Sequence, residues 1–271
     1  MRAIALHPDV LLVTSALLQV NCTIVRGPPA AEGARAGGGE AVGEVFVVDS
    51  PVLPEELELL PSLVEQSRFP PPSGLLATHG DWDHLLGRIA FPELPLGCAE
   101  STAARLAAQP GAAQRELRGF DQELYLERPR PLALGSVQAL PVPGRCGIGE
   151  AELELHPAEG HTSDGMAVLI PWARVLVAGD YLSPVEIPAL QDGDVAAYLR
   201  TLERLRPLAQ AAARVVPRHG PAIDGPGALT VLEDDVAYLR GLLARGAQAE
   251  LPEGRRSRQQ RRLHAANVAG L

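Results

Sequence analysis

Four side chains able to bind a metal ion fall within six residues in Thr78-His79-Gly80-Asp81-Trp82-Asp83-His84. They follow directly on a short apolar run, Gly74-Leu75-Leu76-Ala77, that reads as a buried strand. A loop at a strand's end can turn all four side chains toward one point. Imidazole nitrogen suits zinc or iron, and carboxylate oxygen suits harder cations. Taken alone, the run also reads as an ordinary polar loop.

Three further strand ends repeat the pattern. Ala158-Glu159-Gly160-His161-Thr162 follows a β-type run ending at His156. Ala178-Gly179-Asp180 follows Val175–Val177, and Pro217-Arg218-His219-Gly220 follows Val215-Val216. A glycine flanks each of His161, Asp180 and His219, which lets the backbone approach a crowded ion. The chain has seven histidines, and four of them lie in these four segments, which favours a shared site over chance.

The surrounding periodicity predicts an α/β architecture. Val10–Thr14, Val20–Arg26, Val45–Asp49, Leu94–Cys98, Val137–Leu140, Ala151–His156, Met166–Ile170, Val175–Ala178 and Val215-Val216 read as strands. Pro54–Gln66 reads as a helix with Leu57, Leu60, Leu63 and Val64 on one face and Glu55-Glu56 in its first turn. Ser101–Gln109, with Ser101 as N-cap, Asp194–Leu205 and Leu229–Leu243 read as helices, while Gln114–Glu127 stays open between helix and loop. Strands then helices, twice over, predict two packed sheets with helices outside. Pro28–Ala41, rich in Gly, Ala and Pro, reads as a mobile surface loop between two strands.

These residues resemble the metallo-β-lactamase fold superfamily: an H-x-H-x-D-H-like run, a Gly-His-Thr segment, an Asp after an apolar strand, and a late His before Gly, in that order from about Val10 to Ile223. Asn21-Cys22-Thr23 and Val47-Val48-Asp49-Ser50 stand where the family's opening lies. The resemblance implies an αββα sandwich of two mixed β-sheets, over about residues 1–250, followed by a basic helical tail over 251–271. It implies a two-metal site. His79, Asp81 and His161 would hold one ion, Asp83, His84 and His219 the other, and Asp180 would bridge them. In that family the cations flank a bridging hydroxide that attacks an acyl or phosphoryl centre. Zinc is the first expectation for both ions. Asp81 stands where most members have His, and its hard oxygen points to iron or manganese as alternatives. Some iron-using relatives, the flavodiiron proteins, also carry a carboxylate here. Asp83, itself a ligand, and Tyr181 are the candidate catalytic residues. The Tyr181 phenol either donates to an oxyanion or packs in the core. Trp82 is expected to brace the loop, His156 to be structural or to support a ligand, and Thr162 and Ser163 to hydrogen-bond ligands from behind.

The resemblance implies hydrolysis of a small ester, thioester or lactone, with glyoxalase II-like members as the pattern. Phosphodiester hydrolysis, iron-dependent persulfide oxidation and a silent metal-binding scaffold are the alternatives. No G-x-S-x-G, P-loop or dinucleotide fingerprint supports another class. The formal net charge of -9 argues against a nucleic-acid partner, which needs a basic face. The Arg255–Arg262 stretch reads as a solvated helix face, with an anion-binding role as the alternative. Val10–Val13 and Ala16–Leu18 read as short strands rather than as a signal segment, because Pro8-Asp9 precede them and Thr14-Ser15 split the run. No apolar run reaches the ~18–20 residues that span a bilayer. Cys22, Cys98 and Cys146 form no C-x-x-C, which fits free thiols in a reducing cytoplasm. The expected partner is a small-molecule substrate, with a homodimer left open.

Overall fold

The structure is a computed structural model and describes residues 1–28, 43–191 and 194–271. The expected loop over Pro28–Ala41 lies, apart from Pro28, outside the described residues.

The elements follow in this order: β1 (Arg2–His7), β2 (Val10–Thr14), β3 (Asn21–Arg26), β4 (Val45–Val48), α1 (Pro54–Gln66), β5 (Gly74–Leu76), α2 (Gly87–Ala90), β6 (Leu96–Ala99), α3 (Glu100–Ala108), α4 (Ala112–Leu124), β7 (Val137–Leu140), β8 (Gly144–Ile148), β9 (Ala151–Pro157), β10 (Met166–Ile170), β11 (Val175–Gly179), α5 (Val195–Ala211), β12 (Arg214–Pro217), α6 (Gly225–Arg245) and α7 (Arg258–Ala269). The seven-stranded sheet runs β1 to β7 in chain order, and the five-stranded sheet runs β12-β11-β10-β9-β8. Both are mixed. β4 to β7 pair in parallel and β1 to β4 antiparallel, while β11 and β12 form the parallel pair of the second sheet. This is the expected αββα sandwich.

Period-two alternation builds its three apolar layers. On β2, Val10 and Leu12 face the other sheet while Leu11 and Val13 face the helices. On β10, Met166, Val168 and Ile170 point between the sheets, and Ala167 points to α5 and α6. Burying both faces of each sheet in this way is what demands the outer helices.

The departures from expectation have physical causes. β1 and β8 were not expected. Each is a sheet edge, where one side goes unpaired and the apolar alternation weakens; most of β1 is exposed. Ala16–Leu18 is a turn rather than a strand, with Leu18 and Gln19 at positive φ (57° and 51°). That turn receives the His219 segment, since the Gly220 N–H donates to Gln19 O and Val20 bridges to His219. Gln114–Glu127 is helical as far as Leu124 in α4, which buries Ala113 and Leu117, and leaves the helix at Tyr125. Ser101 does not cap α3; Ala99 does, without a side-chain bond. α5 continues past Leu205 through Pro207 to Ala211. Burial of Leu205 and Ala209 against α6 and the second sheet offsets the proline's missing donor. Among the described residues no helix is long and apolar enough to cross a membrane.

Candidate metal centre

The ligand-type residues come from four strand ends and meet between the two sheets. The run after β5 supplies His79, Asp81, Asp83 and His84, and a 3-10 turn over Trp82–His84 swings the last two inward. His161 follows β9, Asp180 follows β11, and His219 follows β12. Two glycines beside the ligands let the chain pass where a side chain would clash or crowd. A Cβ on Gly160 (φ +119°) would stand 2.2 Å from Tyr198 N, and Gly179 (φ +59°) turns the chain into Asp180 against Thr78.

Asp180 sits at the centre. Its Oδ2 lies 3.3 Å from His79 Nε2, 3.3 Å from His84 Nε2 and 3.1 Å from His161 Nε2, and its Oδ1 is 3.5 Å from His219 Nε2. Asp81 Oδ2 is 3.3 Å from His79 Nε2 and 3.8 Å from His161 Nε2. Asp83 Oδ2 is 3.6 Å from His84 Nε2. Two overlapping clusters therefore have ligand atoms close enough to share an ion: His79, Asp81 and His161, and His79, His84 and Asp180.

Three imidazoles are oriented from behind. His161 Nδ1 donates to Ala189 O (2.9 Å) and His219 Nδ1 to Leu18 O (3.1 Å). His84 Nδ1 lies 3.1 Å from Asp49 Oδ1 and 2.9 Å from Thr78 Oγ1, and Thr78 itself donates N–H and O–H to Asp49. Each ring thus turns Nε2 to the common point, which is how metal-binding histidines are held. Nε2 of His79, His84 and His161 and Oδ1 of Asp180 are buried with no hydrogen-bond partner in the protein. Orphaned polar atoms cost free energy unless something satisfies them, so this donor set fits divalent cations.

The electrostatics agree. Burial alone would push the His84 imidazole down, but Asp49, Asp83 and Asp180 outweigh it and raise it to about 10. His161 is likewise driven up against burial, by Asp180 and Asp81. Burial opposes ionisation of Asp180, yet His161 and His84 hold it well below the usual carboxylate range. The cluster draws positive charge to its centre, as protons or as a metal.

A cavity of about 410 Å³ opens on the cluster. Asp81, Asp83, His161, Asp180 and His219 form its floor, and Glu186, Ile187, Pro188 and Gln191 one wall. α7 supplies another wall through Gln259, Arg262, Leu263 and Ala266. The tail keeps the solvated face expected of it, with Arg256, Arg258, Arg261 and Arg262 exposed, and buries a second, polar face. Its buried Gln260 accepts from Ile187 N (2.7 Å), and its buried Asn267 accepts from Leu190 N (3.0 Å) and donates to Pro188 O (2.7 Å). Arg255, also buried, meets Asp235 at 2.5 Å and donates to Glu186 O. The Gln260→Ala/Asn267→Ala double variant should therefore speed hydrogen exchange at the Ile187 and Leu190 amides by roughly fivefold each, the equivalent of about 1 kcal/mol per lost bond. Unchanged exchange there would show that other contacts hold this wall.

Of the predicted residues, the structure brings His79, Asp81, Asp83, His84, His161, Asp180 and His219 together. Tyr181 it does not bring into the cavity. That ring is buried against Tyr198 (centroids 4.6 Å apart), and its phenolic oxygen accepts the His161 backbone N–H. Trp82 packs on Phe120 as a brace. The Thr162 hydroxyl donates to Asp164 O, and a hydroxyl behind His84 is that of Thr78. His156 pairs with Glu154 on β9. Sequence reasoning missed Asp164, Arg105, Arg218 and Glu186. Burial pushes the Glu186 carboxyl up, and it stands 4.0 Å from His219.

A family model described as the metallo-beta-lactamase superfamily matches residues 43–219, more than half of the chain. No curated protein matches. Among solved structures, a metallo-beta-lactamase family protein from Thermus thermophilus is 21% identical, covering 89% of this chain and 82% of that one with a TM-score of 0.65. A metallo-beta-lactamase from Pontibacter korlensis is 18% identical over 86% of this chain and 99% of its own, with a TM-score of 0.57. A sec-alkylsulfatase from Pseudomonas sp. is 14% identical, covering 98% of this chain but 49% of that one, with a TM-score of 0.68. At these identities the likeness is one of fold.

Proposed function

The chain belongs to the metallo-β-lactamase superfamily, and on that premise we propose that it is a dinuclear metal-dependent hydrolase acting on a small ester, thioester or lactone. The observation that carries this is the convergence of His79, His84 and His161 Nε2 with Asp180 Oδ1, all buried and without a hydrogen-bond partner in the protein. Asp81, His79 and His161 would hold one ion, Asp83, His84 and His219 the other, with Asp180 shared. Zinc is the first choice, with iron or manganese as alternatives. Bound divalent cations there would bring the pKa of water toward ~7 and polarise the scissile bond.

The protein's own groups do the rest. Asp49, Thr78, Ala189 O and Leu18 O fix the imidazole faces. The cavity's size suits a small molecule. Ile187, Pro188 and Leu263 offer it an apolar wall against which an acyl chain can shed water. Glu186, 4.0 Å from His219, lines the cavity beside the cluster, where its carboxyl can hydrogen-bond a bound substrate. The free thiols of Cys22, Cys98 and Cys146 support a cytoplasmic setting.

The test is elemental analysis of the purified protein followed by a panel of thioester, lactone and phosphodiester substrates. About two ions per chain with turnover of a thioester or lactone is the expected result. One iron per chain with consumption of oxygen would replace this reading by persulfide oxidation, turnover of the phosphodiester alone would replace it by phosphodiester hydrolysis, and no bound metal would overturn it.

A further inference from the structure

Asp81 carries a charge where a neutral imidazole would complete the cluster, so its surroundings have to accommodate that charge. Its two oxygens face different ways. Oδ2 faces His79 and His161, at 3.3 and 3.8 Å. Oδ1 faces Arg105 on α3, whose Nη2 reaches it at 2.8 Å. The same guanidinium places Nη1 2.8 Å from Asp164 Oδ1. Asp164 is itself fixed, since its Oδ2 accepts from Thr102 Oγ1 (2.6 Å) and from the N–H of Gly80 (3.0 Å), the residue preceding Asp81. Side-chain exposures of 17% for Arg105, 7% for Asp81 and 2% for Asp164 put the whole relay under cover, where a planar fork holds its geometry and charges are weakly screened.

We propose that Arg105 is a positioning residue that makes Asp81 a one-oxygen, charge-offset ligand, so that the cation site it serves discriminates between metals much as one with a neutral third ligand would. This rests on the metal-dependent reading above. With the guanidinium in place, Oδ1 is withheld and one oxygen is offered. Without it the carboxylate can rotate, present both oxygens and act at full charge, and ions that take more oxygen ligands, manganese above all, gain on zinc.

The experiment loads four proteins from an equimolar mixture of manganese and zinc and measures occupancy by elemental analysis: wild type, Arg105→Met, Asp81→His, and Asp81→His/Arg105→Met. Arg105→Met keeps much of the side chain's apolar stem and removes the fork and the charge. The manganese-to-zinc ratio should rise on the order of tenfold in Arg105→Met, the lower end of the effect of removing a group that orients a metal ligand. In the Asp81→His background the same substitution should leave the ratio unchanged, because no carboxylate remains to orient; a general structural role for Arg105 would shift both backgrounds alike. If Arg105→Met fails to fold, Arg105→Lys, a point charge without the fork, should move the ratio the same way by a smaller factor. A ratio within twofold of wild type in the folded single variant, or an equal shift in both backgrounds, overturns the proposal while leaving metal binding intact. A wild type that takes no metal overturns both.

Discussion

Asp180→Ala should strip the protein of bound metal and lower turnover by about 10³-fold or more, a far larger loss than Asp81→Ala. Asp180 faces all four clustered histidines, within 3.1 to 3.5 Å, whereas Asp81 faces two. Removing Asp180 therefore strips charge and a ligand from both halves of the cluster at once. Metal chemistry supplies several kcal/mol of transition-state stabilisation, and each 1.36 kcal/mol is about tenfold in rate. Asp81→Ala leaves His79, His84 and Asp180 as a complete group, so part of the metal should stay. The check is metal content by elemental analysis, with near-ultraviolet circular dichroism to establish that each variant is folded and Asp180→Asn to separate charge from shape. If Asp81→Ala emptied the site while Asp180→Ala kept its metal, the shared-ligand role would pass to Asp81.

The elements legible in the sequence are those whose burial is continuous, on one face as in α1 or on both as in β11. α1 has a single apolar stripe and acids in its first turn, and it begins and ends where the pattern does. β1 and β8 lack that signal because an edge strand buries little. The ligands were legible for a different reason. A metal site needs special residue types at strand ends with room for the backbone, and both features can be read locally. The residues that support the ligands cannot be read that way. Arg105 finds Asp164 across 59 residues of chain, and Arg218 finds Asp83 across 135. In the sequence each is one arginine among 24 basic residues. The tail is legible only in part. Its arginines read as solvated and are exposed, but the groups α7 buries, Gln260 and Asn267, are polar and satisfied by the loop they hold, so hydropathy does not reveal that second face.

Arg218→Met should cost about 3–5 kcal/mol of folding stability, the range expected when one member of a buried charged pair is removed. Against a total of about 5–15 kcal/mol, that is a large share of what keeps such a chain folded. Arg218 is 1% exposed and is the largest fully buried side chain among the described residues. Its Nη1 donates to Asn21 O (2.7 Å) and Ser50 O (2.8 Å), its Nη2 to Asp83 O (2.6 Å), and its Nε to Asp83 Oδ2 (3.1 Å). One guanidinium, one residue before His219, thus joins β3, the turn after β4 and the loop carrying Asp83. Methionine fills much of the space but leaves two buried carbonyls and the part-buried Asp83 carbonyl without these donors, and the Asp83 carboxylate without its cation. Arg218→Lys should recover little, because a single ammonium cannot reach partners spread across a planar fork. Urea denaturation of the metal-free proteins is the direct measurement, with the midpoint falling and the slope unchanged if the native state stays intact. A loss under about 1 kcal/mol, typical of an exposed ion pair, would mean that Asp83 and the three carbonyls find water or other donors, and that the loop bearing Asp83 is held by its 3-10 turn rather than by Arg218.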